Sequence, residues 1–178
     1  MRVTIPSFSK IFLSLVIFVA FSLLMILLFL SLRACISFIK EASKAKQRQG
    51  RLLCQTDHQA LLEACREISK MVAKGELKKH EYHVRINPDP EISSFPQPIL
   101  DLEPTYIEIA RNGQVKVELV GGLDHFGVNA YPEYFKPPVS NFHYGNRKLI
   151  DGLWYYDDGY HSNPKYGKVI EELIQKGK

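Results

Sequence analysis

Catalytic and cofactor signatures are what this sequence has least of. The nearest approach to a phosphate loop, Gly159 to Gly167-Lys168-Val169, has the wrong gap and lacks the Ser or Thr that would bind magnesium. Neither Gly-x-Ser-x-Gly nor His-Glu-x-x-His occurs, so serine hydrolase and zincin readings find no support. Cysteine is scarce and odd in number: Cys35, Cys54 and Cys65, with no Cys-x-x-Cys and no Cys/His finger spacing. Structural zinc is therefore not expected. If Cys54 and Cys65 share one helix, their eleven-residue separation is roughly 16 Å, too far for a disulfide. No Asn-x-Ser/Thr sequon and no internal repeat is present.

Acidic residues are almost missing from the first 51 positions, where Glu41 stands against eight Lys and Arg. From Leu52 onward the balance reverses, with 15 basic and 18 acidic residues. The formal net charge of +4 over 178 residues thus comes from the N-terminal part, and the remainder is mildly acidic. Phosphate-backbone binding needs a dense cationic face, so a nucleic-acid partner is not expected.

Charge is wholly absent from Ile11 to Leu32, between Lys10 and Arg33. At about 1.5 Å per helical residue this run spans the roughly 30 Å of bilayer hydrocarbon. It is longer than the apolar core of about 7 to 15 residues usual in a cleaved signal. Ser14, Ser22 and Ser31 are its polar side chains, and their hydroxyls can bond back to the helix backbone. The expected organisation is an N-terminal tail at 1–10, a single transmembrane helix at 11–32, a basic juxtamembrane segment at 33–51 and a soluble domain at 52–178. Leu32-Arg33-Ala34-Cys35 partly follows a bacterial lipoprotein box, with Arg33 where a small or apolar residue is usual. A lipoprotein processed at Cys35, its domain outside the cytoplasm, is accordingly an alternative.

Six basic residues follow the apolar run and two precede it, which favours a cytoplasmic C-terminal domain. Lys40, Lys44, Lys46, Arg48 and Arg51 would then face anionic lipid headgroups. A solvated helix extension explains the same charges without lipid.

Within the soluble part, Thr56 and Gln59 form a capping-box pattern. Leu61, Cys65, Ile68 and Val72 recur at helical spacing, widened by Leu62 and Met71, and Lys74-Gly75 supplies a stop. A strand is expected over 81–86, then a proline-rich connection through Pro88, Pro90, Pro96 and Pro98 that excludes regular structure. The stretches 105–110 and 114–120 flank Arg111-Asn112-Gly113, where Asn-Gly favours a type I′ hairpin. Residues 149–156 read as one further strand and 166–175 as a helix. The fold class is α+β: an N-terminal transmembrane helix, then a small domain with one main amphipathic helix packed on an antiparallel sheet.

Asp124-His125 is the leading chemical candidate, a carboxylate and an imidazole just after the strand and the Gly121-Gly122 pair. The plainer account is a turn in which the glycines supply unusual φ, Asp124 bonds a nearby amide and His125 is exposed. His80-x-x-His83 has helical metal-ligand spacing, but in a strand the two rings would point to opposite faces. Asp57, His58, His143, Asp157, Asp158 and His161 could join His125 only through tertiary folding. Cys54 and Cys65 are candidate nucleophiles, with Cys65 on the apolar stripe where thiols are usually inert. Gly152 to Tyr160, with Trp154, Tyr155 and Tyr156, could offer aromatic faces to a ligand, although core packing explains it as well.

Beside the lipoprotein alternative at Cys35, two functions are in play. The first is a single-pass membrane-anchored accessory or interaction protein without a cofactor, and the second a small membrane-tethered hydrolase or transferase using Asp124 and His125.

Overall fold

A computed structural model describes residues 8–85, 88–120, 125–134, 146–158 and 164–177. Helix α1 runs from Phe8 to Cys54. It is long and apolar enough to cross a membrane, and none of its apolar window is buried against protein. The Oγ of Ser22 donates to the carbonyl of Phe18 at 2.9 Å, and that of Ser31 to the carbonyl of Leu28 at 2.8 Å. Both hydroxyls are thereby satisfied by the helix itself, as expected for serines in an apolar run. The Arg33 guanidinium lies 5.5 Å from the Phe29 ring centre.

The chain divides into two compact units between Lys44 and Ala45. Residues 45–54 of α1 therefore belong to the second unit, which starts seven residues before the boundary at Leu52 set by charge. Leu52 and Leu53 are fully buried in its core. Cys54 ends α1 while Cys65 lies in helix α2, His58–Ala73, so the two cysteines do not share a helix, and all three are free.

The cap of α2 is Asp57, not Thr56: its carboxylate accepts from the amides of Gln59 and Ala60, both at 3.0 Å. Thr56 instead turns back, its hydroxyl donating to the Arg51 carbonyl at 3.1 Å. A carboxylate at the positive end of the helix dipole is the better acceptor of the two. The stop is as expected, with Gly75 at φ +76° and its amide on the Val72 carbonyl. Leu61, Leu62, Cys65 and Ile68 are buried, and Met71 and Val72 lie half-buried against them.

Strand β1, Glu81–His83, is shorter than expected. The proline-rich connection holds a short 3-10 helix, Pro90–Ser94, and one turn of helix α3, Gln97–Leu100. Pro90 and Pro98 sit in first turns, where no amide donor is needed, so proline begins these elements where it had been expected to exclude them. Strands β2, Tyr106–Ile109, and β3, Val115–Val120, form the expected hairpin. Its turn differs: Asn112 does not take positive φ, whereas Gly113 does at +81°. The Gly113 amide bonds the Ala110 carbonyl, giving the three-residue loop with a left-handed glycine in place of type I′.

Strand β4 is Phe126–Ala130. The single strand expected over 149–156 is in fact a hairpin, β5 Arg147–Ile150 and β6 Leu153–Asp157, turned at Asp151-Gly152 with Gly152 at φ +90°. Helix α4, Pro164–Lys176, closes the described chain.

The sheet has the order β1-β2-β3-β4-β6-β5, antiparallel at every pairing. Tyr82, Ile107, Val117, Val128 and Tyr155 lie on one row of its inner face, in a core shared with Ile68 of α2 and Ile170 of α4. Alternation consequently sends the intervening residues to the opposite face.

Candidate functional site

That opposite face carries chemistry. One row across it runs His83, Tyr106, Glu118, Gly127, Tyr156, and the next runs Glu81, Glu108, Lys116, Asn129, Trp154, Lys148. Each row follows from pairing register, which fixes neighbours that are far apart in sequence.

Glu118 is at the centre and only 8% exposed. Its Oε2 lies 3.2 Å from Nδ1 of His125 and 3.5 Å from Nζ of Lys116. The Lys116 ammonium also stands 5.0 Å from the centre of the Tyr156 ring, within cation–π range. Tyr156 can lie across β4 because Gly127 has no side chain: a Cβ there would fall 3.0 Å from the Tyr156 hydroxyl. That hydroxyl is buried and has no hydrogen-bond partner among the described residues. Burial, and then the charge of Glu118, push its pKa well above the usual phenol range, so it stays protonated.

Tyr106 hydrogen-bonds Glu81, and its pKa is raised chiefly by burial, then by that carboxylate. The His83 ring tilts against Tyr106 with centres 5.3 Å apart. Glu81 and Glu108 stand directly opposite one another across β1 and β2. Among the described residues neither forms an ion pair.

His125 thus has a carboxylate partner, and it is Glu118 from the neighbouring strand. Asp124, named with it from sequence, lies outside the described residues, as do His143 and His161. An imidazole whose Nδ1–H is held by a carboxylate presents Nε2 as a base. His58 and His80 are engaged with backbone: His58 Nε2 meets the Leu52 carbonyl at 2.8 Å and His80 Nδ1 the Ile109 carbonyl at 2.9 Å. Among the described residues no three His, Cys, Asp or Glu side chains gather as a metal site.

Cys65 is fully buried, and desolvation pushes its thiol pKa up to about 12, which makes it a poor nucleophile. Cys54 is half-buried, with Sγ 3.4 Å from the Leu173 carbonyl. The aromatic stretch of β6 is split by the pleat: Leu153 and Tyr155 enter the core, whereas Trp154 and Tyr156 lie on the opposite face.

A second polar cluster sits in the core. Gln49 Nε2 donates to the Tyr155 hydroxyl at 2.6 Å and to Asp157 Oδ2 at 3.1 Å, and the Tyr155 hydroxyl donates to the same Oδ2 at 2.5 Å. All three residues are buried. This cluster fastens the last turns of α1 to β6, a role no sequence pattern announced.

Nearby, Glu103 lies 3.5 Å from Arg48 and 3.6 Å from Arg51. Two of the five cations assigned to lipid headgroups are therefore engaged within the domain. Compared with known protein families, curated proteins and solved structures, the chain matches none.

Proposed function

We propose that this chain is a single-pass membrane-anchored accessory or interaction protein whose α+β domain works beside the bilayer without a cofactor. The observation that carries the reading is the uncharged run from Ile11 to Leu32 within α1, whose described apolar side chains all point away from protein. Exposing so many large hydrophobic groups to water would be strongly unfavourable, and hydrocarbon removes that cost. The basic excess after the run favours the cytoplasmic side for the domain. Exposed Lys40, Lys44 and Lys46 meet anionic headgroups, while Arg48 and Arg51 keep their Glu103 contacts.

Alkaline carbonate washing of membranes tests the anchor: the chain stays in the pellet, and release into the supernatant refutes the reading. A reporter fused at Lys178 tests the side. Labelling by an impermeant reagent from outside intact cells would refute the cytoplasmic assignment.

One observation favours the enzymatic alternative, namely the His125–Glu118 contact. In that reading His125 is the general base and Glu118 holds its orientation, with Asp124 as a neighbouring acid. It predicts loss of turnover in both His125→Ala and Glu118→Gln with the fold intact, and turnover unaffected by either change excludes it.

A further inference from the structure

The polar face of the sheet is built with more negative charge than it neutralises. Across β1, β2 and β3 it presents the carboxylates of Glu81, Glu108 and Glu118; Lys116 and the His125 imidazole meet Glu118, and among the described residues Glu81 and Glu108 form no ion pair. Like charges directly opposite across a strand pair are unfavourable, and Glu81 and Glu108 are placed so. Glu118 itself is flanked along its row by Tyr106 on one side and by Gly127 and Tyr156 on the other. The Tyr156 hydroxyl, on a side chain 6% exposed, extends over Gly127 and lacks a partner among the described residues. Buried polar atoms are normally satisfied, so an orphaned phenol in the row of Glu118 marks a place where a hydrogen-bonding group is missing. Lys116 shows that a cation is accommodated here, because its ammonium rests between Glu118 and the Tyr156 ring.

We propose that this face binds a lysine- or arginine-bearing segment of a partner protein. The guest cation lies between Glu108 and Glu81, relieving their repulsion, and a second one displaces Lys116 from Glu118 and donates to the Tyr156 hydroxyl. Lys116 acts as an internal placeholder, held on a flexible stem by one carboxylate and one ring. The partner side of this inference rests on the interaction reading above, whereas the charge argument stands apart from the membrane.

The test uses the full chain in detergent micelles and a fluorescent peptide of alternating lysine and serine, with its lysine-acetylated counterpart as the uncharged probe. Expected are saturable binding that weakens with salt, and no binding of the acetylated peptide. Glu108→Gln weakens affinity about fivefold, the scale of one partly exposed ion pair. Tyr156→Phe weakens it too, while Lys116→Gln tightens it by removing the competing ammonium. Glu67→Gln on α2, an exposed carboxylate away from the sheet, leaves it unchanged. Equal binding of the acetylated peptide, an effect of Glu67→Gln as large as that of Glu108→Gln, or no tightening in Lys116→Gln overturns the proposal. Circular dichroism of each variant confirms that folded protein is compared. Failure here in a chain that still resists carbonate extraction removes the basic-segment site and leaves the anchor standing.

Discussion

Oε2 of Glu118 stands 3.2 Å from Nδ1 of His125, although the two residues belong to opposite sides of the β3–β4 connection. The contact exists because β3 and β4 pair with Glu118 opposite Gly127, two residues beyond His125. A buried carboxylate needs compensation, and Glu118 finds it in His125 and Lys116 together. The same pairing lets the Tyr156 ring cross β4, so one glycine supports both features.

Gly127→Ala should therefore be costly. The added Cβ would fall 2.0 Å from the Val117 carbonyl oxygen and 3.0 Å from the Tyr156 hydroxyl, and a backbone atom of a central strand cannot yield easily. Loss of about 3 kcal/mol is expected from such overpacking, read from the urea midpoint of the full chain in micelles. A change below about 0.5 kcal/mol would contradict the packing described, being no more than an ordinary surface substitution costs.

Gln49→Leu should destabilise the domain although it adds apolar volume to a buried position. It leaves the Tyr155 hydroxyl and the Asp157 carboxylate without the amide that both accept from. Removing one member of a buried network costs about 1–3 kcal/mol. Urea unfolding checks it, and a neutral effect would mean that Gln49 contributes nothing to fastening α1 on the sheet.

Glu103 separates a backbone effect from a charge effect. It takes φ +52°, a left-handed conformation unfavourable for a residue with a Cβ, while its carboxylate meets Arg48 and Arg51. Glu103→Gly and Glu103→Ala lose the same ion pairs, but only glycine relieves the backbone. The glycine variant should be the more stable by about 1 kcal/mol, and equal stability would argue against the left-handed assignment.

Tyr82 should make stability fall at alkaline pH. Burial, then its hydrogen bond to Glu91 at 2.9 Å, pushes the phenol up to about 12 from an ordinary value of 10.0. The folded state thus holds the proton more tightly than the unfolded chain. The contribution is complete below pH 10 and is lost as pH rises toward about 12. Tyr106, also raised by burial, adds to the same slope. Urea midpoints measured through this window should decline less steeply in Tyr82→Phe, and an unchanged slope would refute the assignment.

Much of the local structure was legible because local rules decided it. Helix α2 followed from the spacing of Leu61, Cys65 and Ile68 and from Gly75, and the β2–β3 hairpin from alternation around Asn112-Gly113. The departures from expectation are also local in kind. Asp57 outcompetes Thr56 for the cap, Pro90 and Pro98 are compatible with first turns, and Asp151-Gly152 turns a hairpin within one apolar stretch.

What the amino-acid order determined by itself was the uncharged run from Ile11 to Leu32, the reversal of charge near residue 51 and the α+β class, since all three depend on composition and short periods. Only the tertiary structure could set Glu118 beside His125, Gly127 beneath Tyr156 and Gln49 against Tyr155 and Asp157. Those neighbours are chosen by strand order and register across a six-stranded sheet, and register is a property of pairs of segments, which no single stretch of sequence contains.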